Sequence, residues 1–210
     1  MTASTRDKLL EATLQVLAEQ GIAKASARTI ATAAEVNQAL IFYHFGSVDE
    51  LLAAACEHGA RQRVEANRET LARVSSLSDL VAVARDIHAA ERASGNVALL
   101  GQLLAGAPSH PSLAAPTAAG LRLWIDEVEL VLTRVLEPTV LREVVDVPGL
   151  ARAISAAFIG LELYEGVDAE GADRALVALE RLSAAVTILT ELGPLEERAL
   201  RRRLRRAGPG

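Results

Sequence analysis

The sequence predicts an all-α protein, and three observations predict it. Apolar residues recur at three- and four-residue intervals along almost the whole chain. No alternating β-branched run is long enough to build a sheet. Gly, Pro and Ser gather at a few points that cut the pattern into helix-sized pieces: Ser75-Ser76, Ser94-Gly95-Asn96, Pro108 to Pro111, Pro138, Pro148-Gly149, Gly166 to Gly171 and Gly193-Pro194. The expected order is a three-helix helix-turn-helix unit followed by a longer helical domain.

Residues 6 to 20 read as the first helix, with Leu10, Leu14 and Leu17 on one face and Glu11, Gln15 and Glu19 on others. Gly21 stops it. Ser26 or Thr29 caps the second helix, whose inward stripe is Ile30, Ala33 and Ala34. A tight turn at Glu35 and Val36 leads to a third helix. Asn37 serves as its N-cap, and Leu40, Ile41 and Phe45 form its stripe. Two short helices joined in this way are a helix-turn-helix, whose second helix enters the DNA major groove. That helix presents Gln38 and Ala39 on its first turn. Gln pairs bidentately with adenine, and a small apolar residue packs on a thymine methyl. Phe42-Tyr43-His44-Phe45 then concentrates rings in a chain that is 3% aromatic. Phe45 falls on the inward stripe. The other three cannot all face inward on one helix, so at least one is exposed. Ser47 opens a fourth helix with Asp49 and Glu50 in its first turn, where acids suit the positive end of the helix dipole.

From Arg6 to about Leu52 the chain resembles the TetR family of transcriptional regulators. The resemblance rests on Arg6, Leu9-Leu10, Gly21, Arg28, Ile30-Ala31, Ala33-Ala34 and Val36. It continues through Ile41-Phe42-Tyr43-His44-Phe45 and Ser47 to Leu51, the aromatic run followed by Ser, acids and Leu being its specific part. It implies a homodimer on a near-palindromic double-stranded operator, and a C-terminal domain that binds a small effector and releases the DNA. Carried over by position, Asn37, Gln38 and Ala39 lie at the base-contacting turn. Phe42 lies against base or sugar, Tyr43 and His44 contact phosphate, and Arg28 contacts DNA from the second helix. Three positions depart from the family pattern. Glu35 stands where Gly is frequent at the turn, Val48 where Lys is frequent, and Ala39-Leu40 where Gly-Thr is usual. They imply weaker backbone anchoring and an operator preference of the chain's own.

The domain division expected is 1–46 for DNA binding and 47–210 for regulation. The second part reads as helices over 47–73, 78–93, 96–106, 112–136, 148–166, 172–192 and 194–206. The first of these continues from one domain into the other with no flexible linker. The helix over 148–166 carries one stripe of Leu150, Ile154, Phe158 and Leu161, and a second of Ala153, Ala156 and Gly160. The helix over 172–192 carries Leu176, Leu179, Leu182, Val186 and Leu189, with Val177, Ala184 and Ile188 on another side. A helix apolar on two sides is either central in a monomer or shared with a partner. Doubled by a two-fold axis, this pair gives a four-helix bundle. The dimer interface expected is therefore Ile154, Phe158, Leu161, Leu179, Leu182, Val186 and Leu189. Effector candidates are the polar and aromatic residues expected on inner faces: His88, Gln102, Trp124, Phe158, Glu162 and Tyr164. The effector is expected to be small and mostly apolar, since that domain is rich in Leu, Ala and Val.

Charge and composition narrow the classes further. The net charge is −5. Over residues 1–50, Arg6, Lys8, Lys24 and Arg28 face Asp7, Glu11, Glu19, Glu35, Asp49 and Glu50. That excess of acid argues against a strong nonspecific DNA binder, because phosphate neutralisation supplies much of such affinity. Mean hydropathy is +0.23, but no 18 residues are uninterruptedly apolar and no membrane helix is expected. Without a secretory leader, and with Cys56 as the single cysteine, a cytoplasmic protein is expected. Cys56 and His58 project about 200° apart on a helix, so they form no nucleophile–base pair. His88 and Glu91 share a face at i, i+3 and read as a hydrogen-bond pair. No metal spacing or phosphate loop is present, so neither cofactor, metal nor enzyme activity is expected. Arg198 to Arg206, six arginines around Leu200 and Leu204, read as a solvated face. The competing reading is a helical carrier or enzyme with a vestigial DNA-binding domain, favoured by Glu35, Val48 and the acidic N-terminal balance.

Overall fold

Nine α-helices and two 3-10 turns account for the regular structure of the described residues, with no strand among them. The computed structural model describes residues 4–94, 96–106, 111–143 and 145–190, without the side chains of Ala98, Pro111, Ser112, Val140, Leu189 and Thr190. The helices are α1 (Thr5–Gln20), α2 (Ala27–Ala33), α3 (Ala39–Phe45), α4 (Val48–Ala72), α5 (Leu77–Ala93), α6 (Asn96–Gly106), α7 (Pro111–Leu136), α8 (Val147–Glu165) and α9 (Ala169–Thr190). The all-α expectation holds. The 3-10 turns Ile22–Lys24 and Val140–Glu143 were not predicted, since three or four residues carry no periodicity. The predicted helix over 194–206 and the Arg198 to Arg206 run lie outside the described residues.

Two compact units are present, one of residues 1–66 with 90–124 and one of 67–89 with 125–210. In the first unit α1 begins at Ser4, whose hydroxyl accepts the Asp7 N–H at 3.2 Å and donates to the Asp7 carboxylate at 2.8 Å. It ends at Gly21, at φ 79°, whose N–H bonds the Leu17 carbonyl. Leu9, Leu10, Val16 and Leu17 are fully buried with Ile30, Ile41, Leu51 and Ala55 in one apolar cluster, which Leu99, Leu103 and Leu113 complete. Removing side chains of that size from water stabilises the unit by about 1.5–3 kcal/mol each. The Gln102 side chain lies over Gly21, where an added Cβ would meet its Oε1 at 2.9 Å. Gly120 of α7 similarly approaches Ala60 of α4, at 3.1 Å from the position of a Cβ. Glu11 of α1 is tied to α4 by His58 at 2.9 Å and by Gln62, which donates at 2.8 Å.

In the second unit Arg134 of α7 closes the end of α4. Its guanidinium donates to the carbonyls of Leu71 at 2.8 Å and Val74 at 3.1 Å, supplying donors that a helix C-terminus lacks. α5 is pinned to α9 by Arg85, which donates to Glu180 at 2.7 Å, and by the Ser78–Thr187 hydroxyl pair. α8 and α9 pack on each other. α8 is long and apolar enough by composition to cross a membrane. Reading only uninterrupted apolar runs missed this, because Arg152 and Glu162 break the run without much lowering the average. In the bundle α8 turns Ala151 and Glu162 inward as buried residues.

Candidate nucleic-acid interface

The turn between α2 and α3 is built from backbone hydrogen bonds. Ser26 caps α2 by accepting the Thr29 N–H at 3.2 Å. At the far end Val36 N–H reaches the Ala31 carbonyl at 3.0 Å and Glu35 N–H reaches the Thr32 carbonyl at 3.2 Å. This six-to-one plus five-to-two pairing is a Schellman motif, which requires a left-handed residue between. Glu35 is that residue, at φ 54°, the one non-glycine with positive φ among the described residues. Val36 packs back on the core. The inward stripe of α2 differs from expectation at one position: Ile30, Ala31 and Ala34 are buried, and Ala33 is exposed. Alanine on several sides of a seven-residue helix gave the pattern no way to choose between 31 and 33.

The entry to α3 is tighter than an ordinary N-cap. Leu40 N–H bonds the Asn37 carbonyl at 3.0 Å and Ile41 N–H bonds that of Gln38 at 3.1 Å. The capping residue by backbone is Gln38, in αR conformation and without a side-chain cap bond. Asn37 acts one position earlier than predicted, its side-chain oxygen accepting the Ala39 N–H at 2.8 Å. The Asn37 carbonyl oxygen is thus turned to the backbone, while the Gln38 amide is exposed and uncommitted to the cap.

From there the helix divides sharply. Ile41 is 0% exposed, whereas Phe42 is 49% and Tyr43 81% exposed. Ala39 and Arg28 are exposed as well. His44 is half-buried, its ring edge-on to Tyr43 with centroids 5.0 Å apart and to Phe45 at 6.4 Å. The outward side of α3 therefore carries an amide, a methyl and two rings, and the preceding helix exposes a basic side chain. That set suits base edges and phosphates. Ser47 caps α4 by accepting the Glu50 N–H at 3.1 Å. Val48 is partly buried against the core and brings no charge.

The effector candidates separate. His88, Phe158 and Glu162 come together in the second unit. His88 Nδ1 lies 3.4 Å from Glu162 and Nε2 lies 2.5 Å from Glu165, with the Phe158 ring edge-on at 5.9 Å. Glu165 was not among the predicted residues. The predicted His88–Glu91 pair is not formed. Glu91 instead faces Arg63 at 3.6 Å, and burial raises its carboxyl pKa while Arg63 and Asn96 lower it in part. Local spacing favoured the i, i+3 partner, and a partner 74 residues away has no local signature. Gln102 and Trp124 belong to the first unit, both partly buried. Tyr164 is 47% exposed and donates to Asp168 at 2.6 Å. That bond raises the Tyr164 pKa and lowers that of Asp168, which the Gly171 N–H lowers further.

The interface candidates on α8 and α9 also separate. Ile154, Phe158, Leu161 and Val186 are partly buried, while Leu179 is 44% and Leu182 62% exposed. The side chain of Leu189 lies outside the described residues. Ala153, Ala156, Ala157 and Gly160 are exposed on α8, and Ile188 is 64% exposed on α9. Cys56 is buried, and burial pushes its thiol up to about 11, with Arg63 opposing.

Residues 9–55 match the family described as bacterial regulatory proteins, tetR family. An HTH-type transcriptional repressor of Mycobacterium tuberculosis is 42% identical over 50 residues, 24% of this chain and 27% of its own length. An HTH-type transcriptional regulator of Mycobacterium bovis gives the same figures, so the match spans about a quarter of these relatives. Solved structures extend the likeness along the chain. A transcriptional regulator from Streptomyces coelicolor A3(2) is similar with TM-score 0.67 and 26% identity, over 86% of this chain and 99% of that one. The multidrug-binding protein EbrR, solved with imidazole, is similar with TM-score 0.60 and 25% identity, over 85% and 96%. The helix-turn-helix segment is thus matched in sequence by the tetR family of bacterial regulatory proteins, and the helices beyond it are similar in fold to a solved transcriptional regulator.

Proposed function

We propose that the chain is a dimeric, sequence-specific DNA-binding regulator, a repressor that a small, mostly apolar effector releases from a palindromic operator. The observation that carries this reading is the division of α3. Its rear, at Ile41, is sealed in the core, while Gln38, Ala39, Phe42 and Tyr43 stand outward. In this reading Gln38 and Ala39 meet base edges with Asn37 shaping the turn. Phe42 lies on a sugar or base, and Tyr43, His44 and Arg28 hold phosphates. The functional division is 1–46 and 47–210, in a cytoplasmic protein that acts on DNA without catalysing a reaction.

The dimer is supported by the apolar surface that α8 and α9 leave uncovered, since contiguous exposed hydrophobes mark interaction faces. The effector reading is supported by the buried meeting of His88, Phe158 and Glu162 on facing helices of one unit. These groups would orient the polar end of a ligand, and EbrR, a similar fold, is recorded with imidazole and with proflavin. An effector that prefers one separation of the two recognition helices shifts the population toward it. Half-sites lie one helical turn or a multiple apart, so a changed separation loses the operator.

The test is selection of bound duplexes from random DNA, followed by titration of variants. Tyr43→Ala is expected to weaken selected and mixed-sequence DNA alike, by roughly tenfold for one lost charge-assisted contact. Gln38→Ala is expected to relax the preference at one base pair in each half-site, where a good bidentate contact discriminates by about 1–3 kcal/mol. Recovery of no shared sequence by the wild-type protein, together with turnover of a small molecule, favours a carrier or enzyme instead.

A further inference from the structure

Building on the DNA-binding reading, we propose that Arg6 is a phosphate contact, its guanidinium carried to the DNA backbone on the ring of Phe45. Arg6 Cζ lies 5.2 Å from the Phe45 ring centroid, inside cation–π range. Phe45 is partly buried against the apolar core of the first unit, so the platform is fixed. The arginine itself is exposed in the first turn of α1, which Ser4 caps. Its neighbour Asp7 is engaged by the Ser4 hydroxyl and by its own N–H bond to Ser4. Among the described residues the Arg6 side chain rests on the Phe45 ring.

The direction of that charge follows from helix geometry. At 100° per residue, Phe45 falls about 20° from Gln38 and about 60° from Phe42 around α3. Phe45 therefore borders the outward face, and a cation seated on it stands at the edge of the surface that meets DNA. The other basic residues of the first 50 serve this less well. Lys8 lines a groove with Asp7, Glu11, Glu19 and Arg63, Lys24 closes the 3-10 turn, and Arg28 already has a role on α2. Val48 brings no charge to the start of α4. A guanidinium stacked on a ring keeps its N–H rim free to bond phosphate oxygens in pairs. In a segment with more acids than bases, one such preorganised cation supplies a large part of the backbone attraction.

The experiment is equilibrium binding of wild type, Arg6→Ala and Arg6→Lys to a duplex selected on the wild type and to a mixed-sequence duplex, each over a salt series. Arg6→Ala is expected to lower the magnitude of the slope of log K against log salt by about 0.9 per bound protomer. Between 50 and 200 mM salt the advantage of wild type over that variant then shrinks about 3.5-fold, equally on both duplexes. Arg6→Lys keeps the slope. Arg6→Gln, which retains most of the stem, takes the same measurement if thermal unfolding shows the alanine variant misfolded. An unchanged slope, with affinity lost equally at every salt concentration, makes Arg6 a staple between α1 and α3 and overturns the proposal. A wild type that binds neither duplex overturns the DNA-binding reading with it, an outcome distinct from a flat variant slope.

Discussion

Glu35 shows how one residue records the requirements of the turn. The Schellman pairing at the end of α2 needs a left-handed backbone there, and a side chain at φ 54° costs about 1 kcal/mol relative to glycine. Glu35→Gly relieves that strain but loosens the unfolded chain by about 0.4–1 kcal/mol. The expected net effect in urea unfolding is a gain of no more than about 0.5 kcal/mol. Glu35→Val, β-branched in the same conformation, loses about 1–2 kcal/mol. Equal stabilities for glycine and valine at 35 rule out strain at this position. Cys56 makes a different point, about protonation. Burial pushes its thiol from the ordinary 9.0 up to about 11, so the native state holds the proton more tightly than the unfolded chain. The thiol therefore contributes no pH dependence below about pH 9, and stability falls as pH rises from there toward 11. The loss is expected to reach roughly 3 kcal/mol. Cys56→Ala should flatten that alkaline limb, and native protein at pH 8 should resist thiol alkylation until it is unfolded.

Elements were legible in the sequence where their signals are local. Ser26, Ser47 and Gly21 sit at helix ends because each satisfies a backbone group within three or four residues, and such spacing can be read directly. The rear of α3 was legible for the same reason, since Ile41 and Phe45 repeat at helical period. The outward side of α3 followed by exclusion, because three consecutive bulky groups cannot share one face. What could not be read was partnership at long range. Glu165 reaches His88 across 77 residues, and Arg6 reaches Phe45 from another helix. Nothing in the spacing of either pair announces it. Alanine-rich helices form a second blind spot. On α2 the choice between Ala31 and Ala33 rested on a methyl group present at both. On α8, Ala153, Ala156 and Gly160 fit a core or a close helix–helix contact equally well in sequence, and the structure leaves them outward.

At the scale of the whole molecule, the acidic balance and the uncovered α8–α9 face are one argument. A protomer with net charge −5 and few cations near its recognition helix gains little from phosphate neutralisation alone. In the proposed dimer, two protomers joined through α8 and α9 would double the phosphate and base contacts without adding nonspecific charge elsewhere. Leu182 is 62% exposed, so Leu182→Glu disturbs little within a protomer, yet in that dimer it would set a carboxylate against the second copy's apolar face. Sedimentation is expected to show that variant at the protomer mass of 22.2 kDa and wild type at twice that. Operator geometry adds a second readout. Five extra base pairs between half-sites turn one of them by about half a helical turn, to the far side of the duplex. Wild type should then fall to the affinity of a single half-site, and Leu182→Glu should bind both spacings with that same low affinity. A wild type that sediments as a protomer and tolerates the insertion removes the two-fold axis from the mechanism, and leaves α3 to act as a lone recognition helix.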